Sequence, residues 1–116
     1  MVYSVPPKPQ RQRERRPEER LVDTKAIVSL DDRRYVLDGP VAVLGRSREA
    51  DCVLADPNVS RRHAELRRSA NGDWQIVDLG STNGVKVNDR KVDRSRLSPG
   101  DEVTLGTTRF TFDIEQ

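Results

Sequence analysis

The hydrophobic pattern divides the chain into a polar N-terminal stretch and a body of short apolar runs. In the body, β-branched and aromatic residues cluster in runs, and several runs alternate apolar with polar positions. Alternation with a period of two is what a strand with one buried face requires. The runs are Ala26–Leu30, Tyr35–Leu37, Val41–Leu44, Cys52–Leu54, Gln75–Leu79, Val85–Val87, Val103–Leu105 and Phe110–Ile114.

Turn-forming residues separate these runs. Gly, Pro, Asn and Asp favour turns because they set or tolerate the unusual backbone angles that a tight reversal needs. They stand at Asp38-Gly39-Pro40, Asp56-Pro57-Asn58, Asn71-Gly72-Asp73, Asn83-Gly84, Asn88-Asp89 and Ser98-Pro99-Gly100-Asp101. A succession of about ten short strands over about 90 residues predicts a β-sandwich, in which two half-buried sheets share one core.

One segment of the body permits two interpretations. Residues 58–71 contain neither Gly nor Pro, and the stretch from His63 to Arg68 could form a helix. Its apolar positions are poorly spaced for a helical stripe, whereas Ala64 and Leu66 alternate with polar neighbours as they would in a strand. The pattern favours a strand.

Residues 1–22 have a different composition from the rest of the chain. They hold four of the seven prolines and little that could pack, which predicts a disordered, basic, Pro-rich tail or linker before a domain over 23–116. Residues 1–20 carry six Lys or Arg against three Glu, while the remainder carries 15 basic against 16 acidic residues. The body is therefore close to neutral, which does not favour a general nucleic-acid-binding face. A functional basic arm is the alternative for the tail.

Composition limits the class of protein further. The chain has 116 residues, of which 34% are apolar and 34% charged, so we expect one domain with a thin core. No apolar stretch approaches the roughly 18–20 residues that span a bilayer, and the start of the chain lacks the apolar centre of a signal peptide. The single cysteine, Cys52, is expected to be a small buried hydrophobe, and a reducing, cytoplasmic location is the simplest expectation.

Three polar clusters carry the candidate chemistry, and each falls where an apolar run stops. Each cluster combines hydroxyl or amide side chains with glycine or arginine. Arginine supplies charge and a fork of donors, hydroxyls supply further hydrogen bonds, and glycine lets backbone N–H groups approach an anion closely. Together these residue types provide what a phosphate-binding site requires. The clusters are Gly45-Arg46-Ser47, Ser60-Arg61-Arg62-His63 and Ser81-Thr82-Asn83-Gly84.

These clusters, together with Ala50–Leu54 and Leu97–Asp101, closely resemble the forkhead-associated (FHA) domain in order and spacing from about Ala26 to Ile114. The resemblance implies an all-β, eleven-stranded antiparallel β-sandwich whose loops at one end bind phosphothreonine. It implies a non-catalytic interaction module without a cofactor, acting in serine/threonine kinase signalling. Its partners would be threonine-phosphorylated proteins that such a kinase modifies, and it would be a monomer or part of a larger chain, without nucleic-acid binding or membrane insertion.

The resemblance also assigns roles to individual residues. Arg46, Ser60 and Thr82 would contact the phosphate, while Arg61 and Asn83 would hold the phosphate or the peptide backbone beside it. The loop before Ser60 often reads the third residue after the phosphothreonine in this family, and Asn58 lies there. Ser47 and Asn58 are therefore the expected specificity residues, and the expected architectural residues, with His63 fixing the Ser60 loop, are Gly45, His63 and Gly84.

Two other functions are weighed against this one. Nucleic acid could bind the tail together with the Arg61-Arg62 and Arg67-Arg68 pairs, with a steep dependence on salt. An enzyme could use Ser60 and His63, but no nucleophile elbow surrounds the serine and no carboxylate is identifiably placed to orient the histidine. One histidine and one cysteine also make a zinc site implausible, so neither a catalytic nor a metal-ligating residue is predicted.

Overall fold

The computed structural model describes residues 24–115, and the predicted tail at 1–22 lies outside the described residues. The described part consists of eleven strands without a helix, as the resemblance implied. The strands are β1 Lys25–Ser29, β2 Arg34–Leu37, β3 Val41–Gly45, β4 Cys52–Val53, β5 Ala64–Arg68, β6 Trp74–Asp78, β7 Val85–Val87, β8 Arg90–Val92, β9 Arg94–Leu97, β10 Glu102–Leu105 and β11 Thr108–Glu115.

The strands form two sheets. Six of them make an antiparallel sheet in the order β2-β1-β11-β10-β7-β8, and five make a second sheet in the order β4-β3-β5-β6-β9. The expected β-sandwich is confirmed, with one parallel pair inside it, because Leu44 of β3 pairs with Cys52 of β4 in the same direction. The loop from Arg46 to Asp51 connects β3 to β4 and brings the chain back beside β3. There the Asp51 carboxylate accepts the Val43 N–H at 2.7 Å.

The core lies between the inner faces of the two sheets. It follows the alternation of the sequence. Leu66 and Ile76 are fully buried, whereas the residue before each of them, Glu65 and Gln75, is only half-buried. Trp74 packs against Phe112 of the other sheet with ring centroids 6.3 Å apart, and its indole N–H donates to the Thr24 hydroxyl at 3.0 Å. These contacts hold the two sheets together.

Residues 64–68 form a strand, so the interpretation favoured by the alternation is confirmed. Cys52 is fully buried as expected, and burial raises the pKa of its thiol to about 12. Strands β8 and β9 were absent from the predicted runs because only Val92 and Leu97 in them are apolar. No helix in the described range could cross a membrane.

Candidate functional site

The loops that follow β3, β4 and β6 meet at one end of the sandwich and line one open cavity of about 630 Å³, called here the first cavity. All five residues predicted to contact a phosphopeptide line it, as does Asn58. Ser47 instead lines a neighbouring depression with Val43, Glu49, Ala50, Arg61 and Arg62. The wall of the first cavity consists of Arg46, Pro57, Asn58, Val59, Ser60, Arg61, Arg62, Thr82 and Asn83.

Arg46 is held against the Ser60 segment by its backbone and by its side chain. Its backbone N–H donates to the Ser60 carbonyl at 3.0 Å, and its Nε donates to the Val59 carbonyl at 3.0 Å. Among residues 24–115, no carboxylate lies within 4.0 Å of the Arg46 or Arg61 guanidinium. Both positive charges are therefore uncompensated at the cavity, which is the electrostatic state that attracts an anion.

Gly45 lets the end of β3 approach the Ser60 segment closely. A Cβ atom at this position would lie 2.1 Å from the Arg61 carbonyl oxygen and 2.8 Å from its carbonyl carbon. That same oxygen accepts the Ser47 N–H at 3.2 Å. Only glycine fits without moving the backbone that carries Arg61, so the expected architectural role has a steric basis.

His63 is fully buried and joins two of the three loops. Its Nδ1 accepts the Ser60 backbone N–H at 3.0 Å, and its Nε2 lies 2.7 Å from the Gly84 carbonyl. Because a carbonyl can only accept, Nε2 carries the hydrogen, and the two bonds together specify the neutral Nε2–H tautomer. The imidazole thereby ties the Ser60 loop to the Gly84 turn.

The turn before β7 is closed by its own side chains. The Asp78 carboxylate accepts the Ser81 N–H at 3.0 Å, and the Ser81 hydroxyl accepts the Gly84 N–H at 2.9 Å. Gly84 has φ of +79°, which favours glycine. The Thr82 N–H donates to the Ser60 hydroxyl at 3.1 Å, so the Thr82 side chain is presented at the cavity from a fixed backbone.

Asp56 is a supporting residue that sequence reasoning missed. It is 7% exposed, and its Oδ1 accepts the Asn58 N–H at 2.9 Å. Its Oδ2 accepts the Thr107 N–H at 3.0 Å, the Thr107 hydroxyl at 2.7 Å and the Thr108 hydroxyl at 2.8 Å. These hydrogen bonds, that of the Thr107 hydroxyl foremost, hold the pKa of Asp56 well below its usual range. The pattern showed only a turn former, since Thr107 is 51 residues away in sequence.

A second cavity of about 320 Å³ adjoins the first and shares Asn58 and Asn83 with it. The Asn83 side-chain amide donates to the Asn58 carbonyl at 2.7 Å, so the two residues that line both cavities are bonded to each other. Sequence reasoning placed Asn58 in a specificity loop but did not find the rest of this wall. The second cavity is lined by Asn58, Asn83, Gly84, Lys86, Thr104, Gly106 and Thr107.

The contacts also bear on the two other functions. The Ser60 hydroxyl accepts the Thr82 N–H, and His63 bonds the Ser60 backbone, so no serine–histidine nucleophile pair is formed. Arg67 bonds Glu65 at 2.7 Å, while Arg68 donates to the Thr24 carbonyl and lies over the Trp74 ring. Within residues 24–115, no group of three His, Cys, Asp or Glu residues could hold a metal ion.

The fold and the loops together define a β-sandwich with a donor-rich, positively charged cavity at one end. The sequence model of the FHA domain matches residues 42–106, which include the three clusters and the strands that carry them. The chain belongs to the FHA domain family.

Relatives and solved structures agree with this assignment. The chain is 47% identical over 79 residues to the glycogen accumulation regulator GarA of Mycolicibacterium smegmatis, covering 68% of this chain and 49% of that protein. The oxoglutarate dehydrogenase inhibitor of Corynebacterium diphtheriae is likewise 47% identical, with 68% and 54% covered. A structure solved in work on phosphothreonine-dependent FHA domain interactions is 34% identical with a TM-score of 0.73, covering 79% of this chain and 98% of that one. The chain spans about half the length of these two curated relatives.

Proposed function

We propose that this chain is a non-catalytic module that binds threonine-phosphorylated segments of partner proteins, which are substrates of a serine/threonine kinase, in the cytoplasm. The observation that carries the proposal is the convergence of Arg46, Ser60, Arg61, Thr82 and Asn83 on one cavity. In it, Arg46, Ser60 and Thr82 contact the phosphate. Arg61 and Asn83 hold the phosphate or the adjacent peptide backbone.

The chemistry of the cavity suits a dianion. Each charge-assisted hydrogen bond to a phosphate contributes about 1.5–3 kcal/mol, and desolvation and lost freedom offset much of the sum. A net binding free energy near −8 kcal/mol, or a Kd on the order of micromolar, is the expected result. Burial of the threonine methyl group adds about 0.8 kcal/mol in favour of phosphothreonine over phosphoserine.

The loops are held in place by the protein itself, which lowers the cost of binding. His63 joins the Ser60 loop to the Gly84 turn, Ser60 and Thr82 are bonded to each other, and Asn83 bonds Asn58. A ligand that enters such a cavity orders few additional groups, so more of the gross attraction is retained as affinity.

The comparisons support regulation by binding. The two relatives are described as a regulator of glycogen accumulation and an inhibitor of a dehydrogenase, and neither description is that of a catalyst. In this chain the buried His63 has both ring nitrogens engaged with backbone groups, so it is poorly placed to act as a general base. We therefore propose an adaptor or regulator without catalytic activity of its own, as a monomer or within a longer chain.

Titration of a threonine-phosphorylated peptide and its unphosphorylated twin tests this proposal. Fluorescence anisotropy should show binding of the phosphorylated form only, and Arg46→Ala and Ser60→Ala should each weaken it by about tenfold or more, because each removes a charge-assisted hydrogen bond. Arg94 is an exposed arginine on β9, away from the first cavity, so Arg94→Ala is the matched control and should leave the Kd unchanged. Equal affinity for both peptides would exclude the proposed function.

A further inference from the structure

The turn before β7 contains a chemically labile dipeptide. Two of the four asparagines of the chain, Asn71 and Asn83, are followed by glycine, and the other two are followed by larger residues. The backbone nitrogen of the next residue can attack an asparagine side chain, and glycine permits this best because it has no side chain to shield that nitrogen. The two Asn-Gly pairs are therefore the positions of the chain that are most open to loss of the side-chain amide.

This loss needs no reagent other than water. The backbone nitrogen of Gly84 gives up its proton and bonds to Cγ of Asn83, and the Cγ–Nδ2 bond breaks as Nδ2 takes a proton and leaves as ammonia. Water then adds to one of the two carbonyls of the resulting cyclic imide and reopens the ring. The product is aspartate, or isoaspartate in which the main chain runs through Cγ. No electrons are gained or lost, and an amide is exchanged for a carboxylate.

The site requires both members of the Asn83-Gly84 pair. Asn83 lines the first cavity, and its side-chain amide donates to the Asn58 carbonyl at 2.7 Å. Gly84 has φ of +79°, a conformation that favours glycine, and a Cβ atom there would lie 2.9 Å from Cε of Lys91. The geometry that presents the amide at the cavity therefore also retains the labile dipeptide.

The Ser81 hydroxyl holds the attacking nitrogen of this pair. The Gly84 N–H donates to it at 2.9 Å, and Gly84 is buried while Asn83 is exposed to the solvent water that the reaction needs. The nitrogen has to leave the hydroxyl and lose its proton before it can bond to Cγ of Asn83. The hydrogen bond therefore stabilises the unreacted turn and slows the reaction.

The turn between β5 and β6 provides a comparison within the same molecule. Gly72 is buried with φ of +94°, and Asn71 is exposed, as in the other pair. The Gly72 N–H, however, donates to the backbone carbonyl of Ser69 at 2.9 Å, and neither residue of the pair lines either cavity. The attacking nitrogen is thus held by a side chain in one turn and by the backbone in the other.

We propose that Asn83 is a modification site, which deamidates spontaneously to aspartate or isoaspartate, that the Ser81 hydroxyl slows this change, and that the change ends phosphopeptide binding. A carboxylate at this position cannot donate to the Asn58 carbonyl. It also places a negative charge in the cavity that Arg46 and Arg61 line, where it repels a phosphate dianion. The loss of binding rests on the proposed function, whereas the chemical change at Asn83 does not.

Ageing of the purified chain at mildly alkaline pH, followed by peptide mapping with mass spectrometry, tests the chemical step. Asn83 should be converted in the wild type, and Ser81→Ala should accelerate this by about fivefold, the factor that one net hydrogen bond is worth. Ser81→Thr keeps the hydroxyl and should restore the wild-type rate. The rate at Asn71 should be the same in all three proteins. No conversion of Asn83 in the wild type, an unchanged rate in Ser81→Ala, or equal acceleration at Asn71 would overturn the inference.

Asn83→Asp carries the charge of the product and tests the functional step. Anisotropy should show that it binds a phosphothreonine peptide about tenfold more weakly or worse, whereas Asn71→Asp, the same change outside both cavities, should stay within about twofold of wild type. In aged wild-type protein, the fraction that binds should fall in step with the conversion of Asn83. Wild-type affinity in Asn83→Asp would overturn this step. If fresh wild-type protein binds phosphorylated and unphosphorylated peptides equally, it is the proposed function that has failed.

Discussion

Single residues at this site act mainly by fixing backbone, and Gly45 shows the physical reason. Its missing Cβ leaves room for the Arg61 carbonyl, and through that contact the end of β3 determines where the Ser60–Arg61 segment lies. A charge such as Arg61 can be supplied by many sequences, but its position depends on a neighbour that contributes no side chain. The residues that would touch a ligand and the residues that place them are therefore different residues of the same loops.

Gly45→Ala should destabilise the protein and weaken phosphopeptide binding together. A methyl group 2.1 Å from the Arg61 carbonyl oxygen forces a backbone shift, which costs about 1–3 kcal/mol. Urea unfolding and anisotropy measure the two effects. Gly100→Ala is the control. Alanine is disfavoured at Gly100 by the backbone φ of +92°, but a Cβ atom there would meet nothing within 4 Å. It should lose about 1–2 kcal/mol of stability without loss of affinity. Wild-type affinity in Gly45→Ala would contradict this account.

At the scale of elements, the site depends on links between loops that are distant in sequence. Asp56 connects the turn before Ser60 to the turn between β10 and β11, and His63 connects the Ser60 loop to the turn before β7. Each link consists of hydrogen bonds to a buried side chain, and these bonds restrict the motion of the loops that they join. The sandwich ends in a set of loops that support one another, which explains how three short segments can present one cavity.

Asp56→Asn should lower the free energy of unfolding by about 2–3 kcal/mol at neutral pH, because an amide cannot replace a carboxylate that accepts four hydrogen bonds. The folded-state pKa of Asp56 is depressed, so its contribution is present above the unfolded value of about 3.9 and is lost as the pH falls below it. Urea unfolding as a function of pH should therefore show the difference between wild type and variant shrinking below about pH 4. Asp113→Asn, at an exposed position of β11, should show neither effect. A difference independent of pH would contradict this role of the carboxylate.

At the scale of the whole molecule, the parts that the sequence could predict are those recorded in local patterns. Strands such as β6 can be recognised in the sequence because Trp74 and Ile76 alternate with less buried residues. The polar clusters can be recognised because they interrupt such runs. Edge strands β8 and β9 contain one apolar residue each, Val92 and Leu97, so no alternation of apolar residues marks them in the sequence. The bond of Asp56 to Thr107 and the approach of Gly106 to Asn58 join distant segments, and no local pattern encodes them.

Deletion of residues 1–22 should leave the affinity for a phosphothreonine peptide within about twofold of wild type. The reason is that the lining residues of both cavities, and the hydrogen bonds that join their loops, lie between residues 44 and 108. The same deletion should remove any weak, salt-sensitive binding to duplex DNA, because the surplus of positive charge lies in residues 1–20.

Anisotropy with labelled peptide and labelled DNA at two salt concentrations measures both effects, and thermal unfolding shows that the shortened chain folds. If peptide affinity falls sharply while the fold is intact, the N-terminal residues contribute to the site. If DNA binding persists in the shortened chain, the arginines of the body carry it, and the near-neutral body would have to concentrate its positive charge on one face.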